Sequence, residues 1–205
     1  MGLYADFVLP WCIELSCGMK ALDPERERVA AGLHGNVLEV GFGSGLNLPH
    51  MPAAVTRVLA VEPSARARRI AQKRIDAARC PVEFAGLNAE GVQLEDASAD
   101  CALSTFTLCT IPDVERALTE IRRILKPRGS LFVLEHGVAP DPTVARWQGR
   151  LNGFQRVIAG GCNLNRDIRA LLARTGFAAD AIASSYFAKM PRTHGYLYSG
   201  AAASR

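Results

Sequence analysis

From residue 36 onward, short β-rich apolar runs alternate with helical ones. Asn36 to Gly41 (Asn-Val-Leu-Glu-Val-Gly) predicts a first buried strand, and Arg57 to Glu62 a second. A helix from about Ala65 to Ala78 follows, with Ser64 placed to cap it, because a serine oxygen accepts from the free N–H groups of a first turn. Pro81 to Ala85 reads as a third, weaker strand and Asp100 to Thr105 as a fourth. Val114, Ala117, Leu118, Ile121 and Leu125 recur at spacings of three and four, predicting a helix from Val114 to Leu125 with one buried stripe. Asp113 can cap its start, and Lys126-Pro127-Arg128-Gly129 ends it, since proline and glycine continue a helix only at a cost. Ser130 to Glu135 is a continuous apolar run suited to the middle of a sheet. Strands and helices alternating at these lengths imply right-handed crossovers. They predict an α/β fold: an open, mostly parallel sheet with helices on both faces. In the tail, a helix near Arg166 to Thr175 precedes strand-like segments around Ala183 to Phe187 and Gly195 to Gly200, expected to pair antiparallel at the sheet edge.

The 205 residues suffice for one core. Residues 1–35 read as an N-terminal helical segment or lid on a single domain over residues 36–205. The segment Phe7 to Ile13 is unusually apolar for a chain end. Two readings stand: a helix that packs on the domain and helps close a pocket, or a weak membrane-surface contact. Asp6 and Glu14 interrupt it, and no basic region precedes it, which excludes a signal peptide and a stable membrane insertion. The net charge of +4 is mild. Arg66, Arg68, Arg69, Lys73 and Arg74 lie along one predicted helix, without the dense stripe and interleaved aromatics of a nucleic-acid footprint. The six cysteines form no CxxC pair and lack the histidine spacing of a zinc site, so no metal is expected. Reduced thiols in a cytoplasmic protein is the simplest expectation. Nothing in the pattern indicates an oligomeric state.

The chemistry concentrates in Glu39-Val40-Gly41-Phe42-Gly43-Ser44-Gly45, where the first strand should turn into a first helix. Glycine at alternate positions permits a tight turn and close approach of a ligand to the backbone, and a helix start beyond it would offer unpaired N–H groups. About twenty residues on, Glu62 ends the second strand, where a carboxylate can accept both ribose hydroxyls of a nucleoside. A dinucleotide loop would put its last glycine at Leu46. The acidic Glu39 would repel a pyrophosphate but suits a ligand carrying positive charge.

With these residues the chain resembles the class I S-adenosylmethionine-dependent methyltransferases of the type 11 branch, from about Asn36 to Gly176, and the sheet is then expected to be Rossmann-like. The resemblance implies S-adenosylmethionine as cofactor. It places Gly41, Gly43 and Gly45 along the methionine portion and Glu62 at the ribose, with Glu39, Asn47 and Pro63 as further cofactor-binding residues. Asn88 and Ala89 fall at the adenine, Asn88 standing where the family usually has aspartate. Thr105, at the end of the fourth strand, falls against the methionine arm. Leu125 to Gly129 matches the family's turn before the fifth strand.

The acceptor is read as a small molecule. After the fourth strand the chain has Ser104-Thr105-Phe106-Thr107, without the prolines and amide with which nucleic-acid N-methyltransferases hold a flipped base. Asp96 and Asp100 precede that strand, so no acid cluster marks a metal-dependent catechol-type site. Thr105 to Thr110, Glu135-His136 and Gly161-Cys162-Asn163-Leu164-Asn165-Arg166 are similar to the branch that includes alkyl-thiol S-methyltransferases. Known eukaryotic members carry an N-terminal hydrophobic anchor that this chain lacks, so a soluble bacterial-type relative is expected. His136 is the candidate base, its alternative being a histidine hydrogen-bonded in a loop. Cys162, Asn163 and Arg166 are expected to shape the acceptor pocket with Thr107, and Trp11 and Trp147 to give apolar walls. A thiol of pKa about 8.5 is already partly ionised at pH 7, so no strong base is obligatory. Methylation of a quinone or lipid headgroup, and an S-adenosylmethionine-binding module without catalysis, are the competing readings.

Overall fold

A computed structural model describes residues 8–205; Asp6 and Phe7, which figured in the reading of the apolar N-terminus, lie outside them. Before the sheet come α1 (Leu9–Cys17), a 3-10 turn (Lys20–Leu22) and α2 (Asp23–Ala30). The sheet has eight strands: β1 (Gly35–Val40), β2 (Val55–Val61), β3 (Val82–Gly86), β4 (Ala99–Thr105), β5 (Leu125–His136), β6 (Phe177–Ala178), β7 (Ala183–Tyr186) and β8 (Tyr196–Ser204). Their order is β3-β2-β1-β4-β5-β8-β6, with β7 also on β8. The first five run parallel, and β8 is antiparallel to β5, β6 and β7. The expected mostly parallel sheet with an antiparallel edge is therefore what forms.

Alternation sends successive strand residues to opposite faces. Leu38, Val40, Leu59 and Val61 join a buried cluster with Leu118 and Ile121 of α4 (Val114–Ile124) and with Leu171 and Leu172 of α6 (Ile168–Arg174). Val37, Val58 and Ala60 point the other way, to Val29 of α2 and Ala71 of α3 (Ala65–Asp76). Both predicted caps form: Ser64 Oγ accepts from the Ala67 N–H, and Asp113 from that of Arg116.

Two expectations give way, and one helix goes unforeseen. No α-helix follows the glycine loop; a single 3-10 turn, Leu48–His50, stands there before the chain reaches β2. Pro49 lies inside that turn and Pro52 just beyond it, and a helix cannot run through Pro52 without losing a hydrogen bond and clashing with the preceding turn. The Lys126 to Gly129 turn is not a break between helix and strand. Leu125 already pairs with Ala99 and Ser130 with Cys101, so residues 126–129 bulge from β5 opposite Asp100, with Arg128 at φ +68°. Finally, α5 (Pro142–Ile158) is a 17-residue helix that the apolar pattern did not indicate, because Val144 and Gln148 are its buried residues. Its entry is fixed by Asp141, which accepts from the Thr143 and Val144 N–H groups. Gln148 then holds it down by accepting from the Ala139 N–H and donating to the Gly137 and Thr193 carbonyls.

Candidate active site

A cleft of about 420 Å³ opens at the carboxyl ends of β1, β2 and β4, beside the reversal of strand order where open α/β sheets take ligands. Its floor is the glycine loop. Gly41 has φ +73°, and a Cβ there would lie 1.9 Å from Thr107 Oγ1, so only glycine lets the loop after β4 come this close. Gly43, at φ +58°, has open space where a Cβ would project, with nothing closer than the Gly41 carbonyl oxygen at 3.8 Å. That space is the cradle in which a ligand can lie against backbone.

Glu62 closes one wall and is almost fully buried. Its Oε2 accepts from the Gly43 N–H at 2.8 Å and its Oε1 from the Ser64 N–H at 2.7 Å. Burial raises its pKa, and the two N–H groups oppose the rise. Each oxygen keeps a lone pair for a hydroxyl donor, so an adjacent diol is the fitting partner.

Behind the loop lies a buried polar knot. Asn47 donates to Glu39 Oε1 at 2.6 Å and to Thr105 Oγ1 at 3.0 Å, and its own oxygen accepts from Arg26 at 2.5 Å. Arg26 also donates to the Cys17 carbonyl at 2.9 Å. Glu39 Oε2 has no partner among the described residues. Burial lifts the Glu39 pKa to about 7, against the pull of the Asn47 amide and Arg26. Arg26 and Asn47 also line the cleft. Arg26 is not among the residues the sequence points to: it sits in Asp23-Pro-Glu-Arg-Glu-Arg, where no periodicity separates it from its charged neighbours.

The opposite wall comes from the loop after β4. Glu135 at the end of β5 is fully buried and accepts from Ser104 Oγ at 2.8 Å and from the Thr107 and Leu108 N–H groups at 2.9 and 3.1 Å. This anchorage holds Phe106 at φ +52°, a conformation a bulky residue keeps only when its surroundings enforce it. The roof is α1, whose Leu9, Pro10, Ile13 and Cys17 reach the cleft. Glu14 latches that helix to the loop, accepting from Ser44 Oγ and from Arg74 Nη2 at 2.6 Å.

The foreseen residues divide into two groups. Gly41, Gly43, Asn47, Glu62, Pro63, Asn88, Ala89, Thr105 and Thr107 line this cleft, with Glu39 directly behind Asn47. Gly45 stands just off the wall, its N–H on the Phe42 carbonyl. His136, Cys162, Asn163 and Arg166 do not line it. His136 Nε2 lies 3.1 Å from Cys162 Sγ, and Asn163 and Arg166 bond to backbone carbonyls of the loop after β4. Trp147 is half exposed on α5 beneath Arg150, and Trp11 points out beside Arg66 while its neighbours reach inward. Among the described residues, no helix is long and apolar enough to cross a membrane.

Residues 38–133, which carry the glycine loop, Glu62 and the wall after β4, match the family model described as a methyltransferase domain. These residues form an S-adenosylmethionine-dependent methyltransferase domain. Human thiol S-methyltransferase TMT1A is 32% identical over 150 residues, 70% of this chain and 60% of that protein. This chain thus spans less than two thirds of that relative's length. A phosphatidylethanolamine N-methyltransferase of Cereibacter sphaeroides is 28% identical over 157 residues, 73% of this chain and 72% of its own. In fold, a S-adenosylmethionine-dependent methyltransferase of Thermotoga maritima, titled a possible histamine N-methyltransferase, matches with a TM-score of 0.67 at 23% identity. The match covers 98% of this chain and 97% of that one.

A methyltransferase of this family uses S-adenosylmethionine as cosubstrate, and the residues present fit it. The Gly43 cradle admits a ligand against backbone, Glu62 suits a ribose diol, and the unpartnered oxygen of Glu39 suits a nearby positive charge.

Proposed function

We propose that this methyltransferase transfers the methyl group of S-adenosylmethionine to a small thiol. Glu62 takes the ribose hydroxyls, with Pro63 shaping the turn beside it. Asn88 and Ala89 border the adenine, and Gly41, Gly43, Asn47 and Thr105 follow the methionine portion, with Glu39 and Gly45 behind them. The observation that carries the reading is the division of the cleft. Its charged lining groups are Glu62 and Arg26, the latter bonded to Asn47 and lying over the edge of the cleft at Phe106, while Leu9, Pro10, Ile13, Ile111 and Pro112 form an apolar wall.

S-adenosylmethionine supplies an electrophilic methyl carbon on a positive sulfonium. A thiolate acceptor forms its S–CH3 bond as the sulfonium C–S bond breaks, and two opposite charges vanish together. An apolar wall that excludes water favours that change, because the transition state is less polar than the separated ions. No side chain need remove a proton at that moment, which accords with a cleft wall without a histidine. The similarity to the human thiol S-methyltransferase supports the acceptor class.

The second reading, a lipid headgroup as acceptor, is favoured by the Cereibacter relative and by exposed Trp11, Leu15, Phe154 and Val157 on α1 and α5. Mass spectrometry of methylated products, over a panel of hydrogen sulfide, alkyl and aryl thiols, quinols and phosphatidylethanolamine vesicles, separates the two. Methylated thiols alone are expected. Methylated lipid or quinol with no methylated thiol overturns the proposal.

A further inference from the structure

We propose that Cys109, His136 and Cys162 form a three-ligand site for a divalent cation of the zinc kind, next to the methyl-transfer cleft and separate from the residues assigned to the cosubstrate. The three residues come from distant parts of the chain: the loop after β4, the end of β5, and the turn after α5. Their ligand atoms nevertheless all lie within 4.8 Å of one another. A tetrahedral zinc ion with Zn–S of about 2.3 Å and Zn–N of about 2.0 Å holds such atoms about 3.5–3.8 Å apart. His136 Nε2 and Cys162 Sγ are now 3.1 Å apart, so this pair would open by a few tenths of an ångström to admit the ion.

The donor set points the same way. Two thiolates and a neutral imidazole suit zinc and not magnesium or calcium, which prefer oxygen. Both cysteines are buried, and two thiolates with a doubly charged ion leave no net charge in that buried place. Loading the ion releases the two thiol protons to solvent. The His136 ring is itself buried, and its Nδ1 has no partner among the described residues. As it stands, therefore, the imidazole satisfies at most one of its nitrogens, and its other contact is a sulfur.

The surrounding hydrogen bonds hold the ligands in place before any ion arrives. The Cys109 carbonyl accepts from both the Asn163 N–H and the Asn163 side chain, each at 2.9 Å. Arg166 donates to the carbonyls of Leu108 and Ile111 on either side of it. The Gly161 to Arg166 segment is thus tied to the loop carrying Cys109, and Asn163 and Arg166 act as positioning residues for the pair of sulfurs. Three protein ligands leave a fourth position for water or an exogenous donor. Thr107 and Thr110, two residues before and one after Cys109, line the cleft.

The test uses the full chain, purified under reducing conditions, stripped with a chelator and dialysed against zinc, with elemental analysis. One zinc per chain is expected, weakened more than about tenfold in Cys109→Ser, Cys162→Ser and His136→Asn and unchanged in Cys12→Ser, whose side chain is exposed. Cobalt loading of the unmodified protein is the second readout and requires no variant to fold. Near-ultraviolet thiolate-to-cobalt absorption with intense tetrahedral visible bands is expected. No stoichiometric metal in the reduced protein, metal that survives all three substitutions, or an octahedral cobalt spectrum without sulfur bands overturns the proposal.

Discussion

Two buried carboxylates stand at the carboxyl ends of two strands of one sheet, and their surroundings differ. Glu135, at the end of β5, is met by a serine hydroxyl and two backbone N–H groups. Glu39, near the end of β1, receives a hydrogen bond from Asn47 on one oxygen and nothing on the other. Burial pushes both pKa values up, and for Glu135 the Thr107 and Leu108 N–H groups oppose it. A satisfied buried acid is part of the framework, whereas one with an open oxygen is left short of a partner. Glu135 builds the wall; Glu39 keeps one buried oxygen unpaired among the described residues.

The sharpest way to break this contrast is Glu135→Ala. Its removal leaves the Thr107 and Leu108 N–H groups and the Ser104 hydroxyl without their acceptor, and it frees Phe106 from its enforced backbone. Stability should fall by about 3–5 kcal/mol in denaturant titration, the scale for removing one member of a buried charged network. A loss within about 0.5 kcal/mol, ordinary for surface sites, would show that the acid is not part of the framework.

Glu39→Gln should act in the opposite sense. The folded pKa of about 7 lies above the unfolded value. Glu39 therefore lowers stability progressively as pH rises from about 4.5 to 7, where the folded protein holds its proton and the unfolded chain has released it. Without cosubstrate, the loss attributable to this group between pH 4 and pH 8 should approach about 3 kcal/mol. The glutamine variant should lack that slope and be the more stable protein at pH 8. A positively charged cosubstrate reverses the preference, so its affinity should rise with pH through 7 in the parent and stay level in the variant. Parallel stability curves for the two proteins would show that Glu39 is already compensated.

How much of this was legible depended on whether a residue's neighbours were near in sequence. Ser64 and Asp113 cap the turns they precede, and the α4 stripe meets the sheet through local periodicity, so these could be read. Glu62 follows from its place at the end of β2. Glu39 was legible as an acid favouring a cation, but not its open oxygen, since Asn47, Thr105 and Arg26 converge on it only in three dimensions. The helix expected after the glycine loop is lost to Pro49 and Pro52, which stop it within one turn. Helix α5 escaped because it buries Gln148 in hydrogen bonds instead of an apolar stripe. Cys109, His136 and Cys162 could not be read as a cluster by spacing, since 27 and 26 residues separate them.

Glu62→Ala tests the cosubstrate side more directly. Removing a carboxylate that accepts ribose hydroxyls should weaken S-adenosylmethionine by about 1.5–3 kcal/mol in calorimetry. Part of that loss includes the freed N–H groups of Gly43 and Ser64, so the Gln variant, which keeps one acceptor oxygen, should lose less. Unchanged affinity in the alanine variant would remove Glu62 from the ribose.

The smallest effect concerns the roof. Glu14 joins α1 to the glycine loop through Arg74 and Ser44, with side-chain exposures of 19% for Glu14 and 30% for Arg74. Solvent reaches this pair, so Glu14→Gln should cost about 0.5–1 kcal/mol, at most about a fivefold loss of cosubstrate affinity. The fold itself should not weaken, because α1 contributes Pro10 as its buried residue. Limited proteolysis within α1 should nevertheless quicken, and half-molar salt should speed cleavage of the parent toward the rate of the variant, whose attraction to Arg74 no longer depends on charge. The same salt should leave the Glu39 contrast nearly unchanged, since that carboxylate is buried and screened little. Equal salt responses in parent and variant would mean that the helix is held by its apolar contacts and the latch is incidental.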